Sequence, residues 1–379
     1  MLIQIHMLQN YVPSLLNRDD SGSAKSSYFG GRQRGRISSQ CLKRSIRLAD
    51  PFQQAFKADG LLANRTKRLP KLINDALEEM GADDAARTAI VQRVPEIGQE
   101  STKRDTKTVD LENLETRQLI FISDSEVEEI ARKLLALYTD HGAKKWEGLK
   151  IDEITKALGR SVPKSVDIAM FGRMTTSAAF EDVEAAVQVA HAFSTNELVR
   201  VYDFYTAVDD LKKADEEADA GAGMIGDVEL NSSTYYKYLN VHWEELIDNL
   251  GGDVGVAAKA VVAFIEAAAT AHPSGKQNST AAFQLPDFVL VEVSDNNLPV
   301  SYANAFLKPV QQDHRSTLMQ NSIQALNDYA GRLRQVYGLN GHAAYFTVAA
   351  ATVDFAADIQ SLPEMKTWVS RQIEEAAHA

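Results

Sequence analysis

The alternation of apolar and polar positions predicts a strand over Leu2–Leu8, with Ile3, Ile5 and Met7 on one face and Leu2, Gln4 and His6 on the other. The tract that follows, NYVPSLLNRDDSGSAKSSYFGG, is rich in Ser, Gly and Asp and reads as a long loop. Arg32, Arg34 and Arg36 then alternate, which on an extended segment sends all three side chains to one side. Behind them the period changes. Leu42 and Ile46 are four apart, Lys43 and Arg47 likewise, and Ser38–Ser39 stand where an N-cap belongs. The segment therefore predicts a basic strand leading into a capped helix with one apolar and one cationic face.

Beyond Asp59 the pattern is mainly helical. It predicts helices over Leu69–Met80, Asp83–Val94, Asp124–Asp140 and Ile151–Gly159, with the aperiodic polar tract Glu100–Asp110 as a mobile loop between them. Asp182–Ala192 reads as a further helix. Arg200–Val208 and Tyr235–Val241 read as strands, separated by a charged, glycine-rich excursion. His242–Leu250 and Gly255–Thr270 follow as helices, Phe288–Val293 as a buried strand, and Ser316–Tyr337 as a long helix. A strand near Ala344–Val348 and a helix over Pro363–Ala376 close the chain. Strands scattered among helices point to an α+β sheet domain carrying two excursions.

Composition adds bounds. At 379 residues, 45% apolar and 24% charged, the chain is long enough for two or three units around sizeable cores. The run Val256–Thr270 is broken by Lys259 and Glu266 and is too short to cross a bilayer, so no membrane association is expected. MLIQIHMLQN has no basic region ahead of an apolar core, so no secretory leader is expected. The one cysteine, Cys41, excludes an internal disulfide framework and suits a reducing cytoplasm.

Charge changes the picture most. From Arg18 to Arg47 eight Lys/Arg (Arg18, Lys25, Arg32, Arg34, Arg36, Lys43, Arg44, Arg47) face two acids, a local +6 in a chain of −12. A helix N-terminus beside such a cluster is a site for phosphate oxygens, and Gly30, Gly31 and Gly35 let a backbone come close to a ligand. The bland alternative is a solvated basic helix.

Other patterns are weaker. Gly221, Gly223 and Gly226 match a dinucleotide fingerprint by letter, but the acidic approach ADEEADA would repel a pyrophosphate. Eight histidines with no i,i+4 pair and no cysteine cluster argue against a zinc site, and no metal or cofactor is expected. Asp19 and Asp20 beside Arg18 would serve a metal-dependent RNA endonuclease, or would simply orient Arg18 and cap a turn. Phe204 and Tyr205 would be platforms for bases or core aromatics. Met174 would wedge against a base or merely pack. Lys144 and Lys145 would grip a duplex or sit solvated at a helix end.

PSLLNRDD (13–20), FGGRQRGRISSQCLKRSIR (29–47), VDIAMFGRMTTS (166–177), FYTAVDDL (204–211), ANAF (303–306), SIQALNDY (322–329) and YGLNG (337–341) carry a resemblance. The sequence closely resembles the CasC-type backbone subunits of type I-E CRISPR Cascade, a branch of the Cas-seven family in the RAMP superfamily. The likeness runs nearly the whole length and is thinnest over 60–160. It implies an RRM-like (ferredoxin-like) palm formed by 1–58 and 178–379. A helical fingers insert over 59–177 and a thumb hairpin over 198–234 complete the implied hand. It further implies a non-catalytic subunit whose copies stack as a filament along one crRNA, with other Cascade subunits, and present the guide to a target DNA strand. By position, Arg18, Lys25, Arg36, Ser38, Gln40, Lys43, Arg44 and Arg47 would contact the crRNA backbone. Phe204, Tyr205 and Thr206 would stand where the guide kinks, Phe204–Tyr205 replacing a Trp–Phe pair of the family. Met174 would lie against the guide–target duplex, and Lys144 and Lys145 would touch DNA.

Overall fold

In the computed structural model, which describes residues 1–97, 115–116, 118–159, 165–175, 179–207 and 224–378, the first strand outruns the alternation that predicts it. Strand β1 spans Leu2–Ser14, and Leu2 through Gln9 are buried without a break. The tract read as one long loop thus gives its first residues to β1 and its last to a second strand. The expected loop at Glu100–Asp110 and the tip of the excursion after Ala207, with Gly221 and Gly223, lie outside the described residues.

The chain is of mixed α+β class and divides into two units: Met1–Phe52 with Val189–Asn240 and Val262–Ala379, and Gln53–Gln188 with Val241–Val261. In the first, β1 pairs antiparallel with Phe288–Ser294, and His342–Thr347 and Ala357–Asp358 continue that side. On the other side come the long strand Met224–His242, then Ala192–Ser194, then β3 (Arg32–Ile37) and β2 (Ser26–Phe29). Ala357–Asp358 runs parallel to its neighbour His342–Thr347.

One face of the sheet packs on helix Leu318–Tyr337. Leu8, Tyr236, Tyr238, Phe288 and Leu290 meet Met319, Ile323, Leu326 and Ala330, spaced three and four apart on that helix. Each large apolar side chain so buried contributes roughly 1.5–3 kcal/mol. Thr317 and Gln320 form a capping box at the start of the helix, and Gly338 ends it at φ 65. On the same face β1 offers a histidine, and His6 is satisfied there. Its Nδ1 meets the Tyr236 hydroxyl at 2.8 Å and its Nε2 meets Glu292 at 3.1 Å.

β2 and β3 form a hairpin whose turn is Gly30–Gly31, at φ 60 and 73, values that suit glycine. Gly30 is needed for a second reason. A Cβ there would lie 1.8 Å from the carbonyl oxygen of Leu307.

The helix expected over Asp182–Ala192 does not form. Val187–Val189 and Ala192–Ser194 are short strands, and Phe193 pairs with both Arg36 and Tyr236. Val187–Val189 pairs with the long strand Met224–His242, and Ala192–Ser194 pairs on both edges, with that strand and with β3; these ladder hydrogen bonds outweigh the alanine-rich helical preference.

The second unit is built from helices Leu69–Glu79, Asp84–Val91, Asp124–Trp146 and Ile151–Leu158, with a two-stranded sheet of Ala63–Thr66 and Ile120–Ser123. Leu69, Ile73, Leu77, Ile90, Ile130, Leu134, Trp146 and Ile154 form its core. Arg173 and Glu126 make a buried ion pair at 2.8 Å inside it.

Candidate nucleic-acid interface

Helix α1 (Ser39–Arg47) begins as its sequence predicts. Ser38 is extended, and its hydroxyl accepts the Cys41 N–H at 3.3 Å. Leu42 and Ile46 are the buried stripe. No acidic residue occupies the first turn, so the positive end of the helix is not neutralised from within.

The segment before β2 is stitched against this end. Asn17 accepts the Ser38 N–H on its side chain (2.9 Å) and the Lys25 N–H on its carbonyl (2.9 Å), and the Lys25 carbonyl accepts the Arg36 N–H at 2.8 Å. Arg18 and Lys25 are therefore brought to the β3–α1 junction although they precede it in sequence. Arg18, Gln40 and Arg44 are exposed, while Lys25, Arg36, Lys43 and Arg47 are half-buried.

Asp19 closes the turn between them. Its Oδ1 accepts from Ser21 N (3.0 Å), Ser21 Oγ (2.7 Å) and Ser23 N (3.0 Å), and the Ser21 hydroxyl above all holds this carboxyl below the usual range. Capping this turn is a role that its Oδ1 performs. Asp20 beside it is exposed. Among the described residues no group of three or more His, Cys, Asp or Glu is arranged to hold a metal ion.

The three alternating arginines do not form one fan. Arg32 is exposed and pairs loosely with Glu197 at 3.6 Å. Arg34 is fully buried: its Nη1 donates to the Ser194 and Thr195 carbonyls, both at 2.9 Å, and its Nη2 to those of Phe306 and Leu307 at 2.8 and 3.3 Å. Only Arg36 turns to the junction. Alternation assigns a side to these residues, but another layer covers that side at Arg34.

One residue that the sequence patterns do not single out joins the cluster. The Ser39 N–H, the first of α1, donates to His191 Nδ1 at 2.8 Å. Partial burial, then Arg36 and Lys25, hold the His191 ring below its usual pKa. No local motif marks it. The signal is the register: Ala192 pairs with Ile37, so His191 falls opposite Ser38, next to the Ser39 N–H that it accepts.

The other candidates lie elsewhere. Phe204, Tyr205 and Thr206 are on strand Arg200–Ala207, every residue of which is exposed, and they pair with Asp227, Gly226 and Ile225. Gly226 makes room for the Tyr205 ring, since a Cβ there would meet the hydroxyl at 2.5 Å. Met174, in the second unit, is 95% exposed, the opposite of a packed methionine. Lys144 and Lys145 are exposed in the last turn of helix Asp124–Trp146, just past the break at Gly142 (φ 70).

The arrangement around α1 suits a chain of phosphates: a positive helix end with no acid in its first turn, cations from three segments, and few acids. The CT1975-like protein family model matches residues 3–372, nearly the whole chain. The chain belongs to the CT1975-like family. This CT1975-like chain is also similar to solved structures. One is a chain of a CRISPR RNA-guided surveillance complex, pre-nicking, with 32% identity and a TM-score of 0.82 over 98% of this chain and 100% of that one. Another, from a CRISPR RNA-guided surveillance complex, has 26% identity and a TM-score of 0.70 over the same shares. No match is found among curated proteins. Among the described residues no helix is long and apolar enough to cross a membrane.

Proposed function

We propose that this chain is a non-catalytic, crRNA-binding backbone subunit of a type I-E CRISPR surveillance complex. The end-to-end likeness to a chain of an RNA-guided complex carries the reading. The cation cluster on α1 gives it a physical mechanism. Arg18, Lys25, Arg36, Gln40, Lys43, Arg44 and Arg47 would hold successive phosphates, with Ser38 ordering the helix end and His191 beside it. Phosphate contacts carry no sequence information, which is what a subunit serving every guide requires.

In this reading the sheet unit is an RRM-like palm (1–58 and 178–379), the insert over 59–177 the fingers, and the hairpin over 198–234 a thumb. Copies of the chain would follow one another along the guide in a cytoplasmic filament with other Cascade subunits. Met174, Lys144 and Lys145 would face the guide–target DNA duplex.

The test is the charge reversal Lys43→Glu with Arg47→Glu. The variant should keep its circular dichroism and melting profile but bind a guide-length RNA more than about tenfold more weakly. Its affinity should also depend less on salt, each lost phosphate contact removing about 0.7 from the slope of log K against log salt. Unchanged RNA retention would take α1 out of the site. In the same assay, guide and complementary RNA incubated with Mg²⁺ should stay intact. Cleavage that disappears in Asp19→Ala or Asp20→Ala would make the chain an endonuclease instead.

A further inference from the structure

Lys237 lies in the middle of strand Met224–His242. Alternation sends Tyr236 and Tyr238 into the core on helix Leu318–Tyr337 and Lys237 to the opposite face. It is 3% exposed. Its side chain enters a small space closed by Leu42, Ser45 and Ile46 of α1, by Leu239, and by Ala268 and Ala271 around the end of helix Val254–Thr270. No carboxylate is among these residues.

The titratable groups facing it come from three other elements. They are Tyr11 of β1, whose ring centroid is 5.9 Å from Nζ, Cys41 of α1, and His272 after the helix. None supplies a negative charge at neutral pH. Burial pushes the Tyr11 phenol and the Cys41 thiol up, and pulls the His272 ring down to about 4. Burial also pulls the Lys237 ammonium down to about 8, which still leaves it mostly protonated at pH 7. A methionine would fill this position with no charge to desolvate.

What the lysine has instead is a location. Cys41, in the first turn of α1, feels Lys237 from below and Lys25 and Arg44 from the surface. The buried cation thus underlies the helix whose outer side carries the exposed ones. A charge with low-dielectric material around it is poorly screened, so it acts further than a surface lysine does.

We infer that Lys237 is a buried cation that acts through α1, strengthening the hold on a polyanion at that helix while destabilising the unbound protein. This rests on the reading of α1 as an RNA-phosphate site. Folding lowers the pKa of this lysine from the ordinary 10.5, so the unfolded chain binds more protons between about 8 and 10.5, and the stability of the unbound protein rises across that window. A polyanion on α1 favours the ammonium. Affinity therefore falls as pH climbs through about 8, and binding takes up protons.

The experiment uses the full chain and a guide-length single-stranded RNA, with anisotropy titrations across the alkaline range and melts without RNA. Lys237→Met is compared with wild type, with Lys237→Gln as a second variant, and with the Lys43→Glu, Arg47→Glu protein. Lys237→Met should melt higher than wild type without RNA. It should bind RNA roughly fivefold to tenfold more weakly at neutral pH, the weight of about one pKa unit. Its affinity should fall less steeply toward alkaline pH. Unchanged affinity with an unchanged pH profile, or lower melting of both Lys237 variants, overturns the inference. If the α1 charge reversal also leaves binding intact, the reading of the helix fails and the inference with it. Loss in the charge reversal alone rejects only the role of Lys237.

Discussion

Glu292→Leu is expected to lower the stability of the folded chain by about 3–5 kcal/mol, because it strands a guanidinium inside the protein. Glu292 is 2% exposed and is the hub of the polar network under helix Leu318–Tyr337. It receives the Tyr302 hydroxyl at 2.8 Å, His6 Nε2 at 3.1 Å, and Arg334, whose other Nη donates to the Gly341 carbonyl at 2.7 Å. Burial opposes ionisation of this carboxyl, yet His6, Tyr302 and Arg334 together hold its pKa below the usual value. A group whose folded pKa is depressed contributes stability above its unfolded pKa and loses it as pH falls through the folded one. The contribution is thus intact at neutral pH and fades below about 4. Urea titration of the variant at pH 7 and pH 3.5 checks both parts. The deficit should be large at pH 7 and smaller at pH 3.5, and the double variant Glu292→Leu, Arg334→Met should recover much of it. A midpoint that does not move at pH 7 would mean the network contributes nothing to folding.

Arg34→Met should be nearly as damaging. It removes a forked set of donors that no other side chain replaces and leaves the carbonyls of Ser194, Thr195, Phe306 and Leu307 without this partner. At about 1–3 kcal/mol for each buried polar group left unsatisfied, even two that find no water amount to about 2–6 kcal/mol. Arg34→Lys should rescue little, since one ammonium cannot fork between two pairs of oxygens. The informative measurement is stability and RNA binding on the same sample. A marked drop in the denaturation midpoint identifies Arg34 as a structural clamp. A normal midpoint with lost RNA binding would return it to the phosphate site.

These two residues show where the sequence can and cannot be read. The N-cap at Ser38, the Leu42–Ile46 stripe and the long helix ending at Gly338 are legible because each depends on residues within about one turn of one another. Arg34 is not legible. Period-two alternation says which side a residue takes, but whether that side meets water depends on the 306–307 backbone, far along the chain. His191 meets Ser39 only through a strand register set 152 residues away. Lys237 left a faint sign, a lysine between Tyr235 and Leu239 on the same side of a strand, and a buried cation is rare enough that the sign is easily read as a surface position. The Asp182–Ala192 segment failed for the reverse reason: its local preference was plain, and its neighbours overrode it.

The burial of β1 on both sides has a further consequence. Many RNA-binding sheets leave their central strands bare, so that flat heterocycles can lie on aromatic side chains and be told apart by their edges. In this chain Leu2 through Gln9 are buried on both faces, so β1 offers no such tabletop. A nucleic acid held at the margin of such a sheet would keep its pairing edges turned outward, available to a complementary strand rather than to the protein.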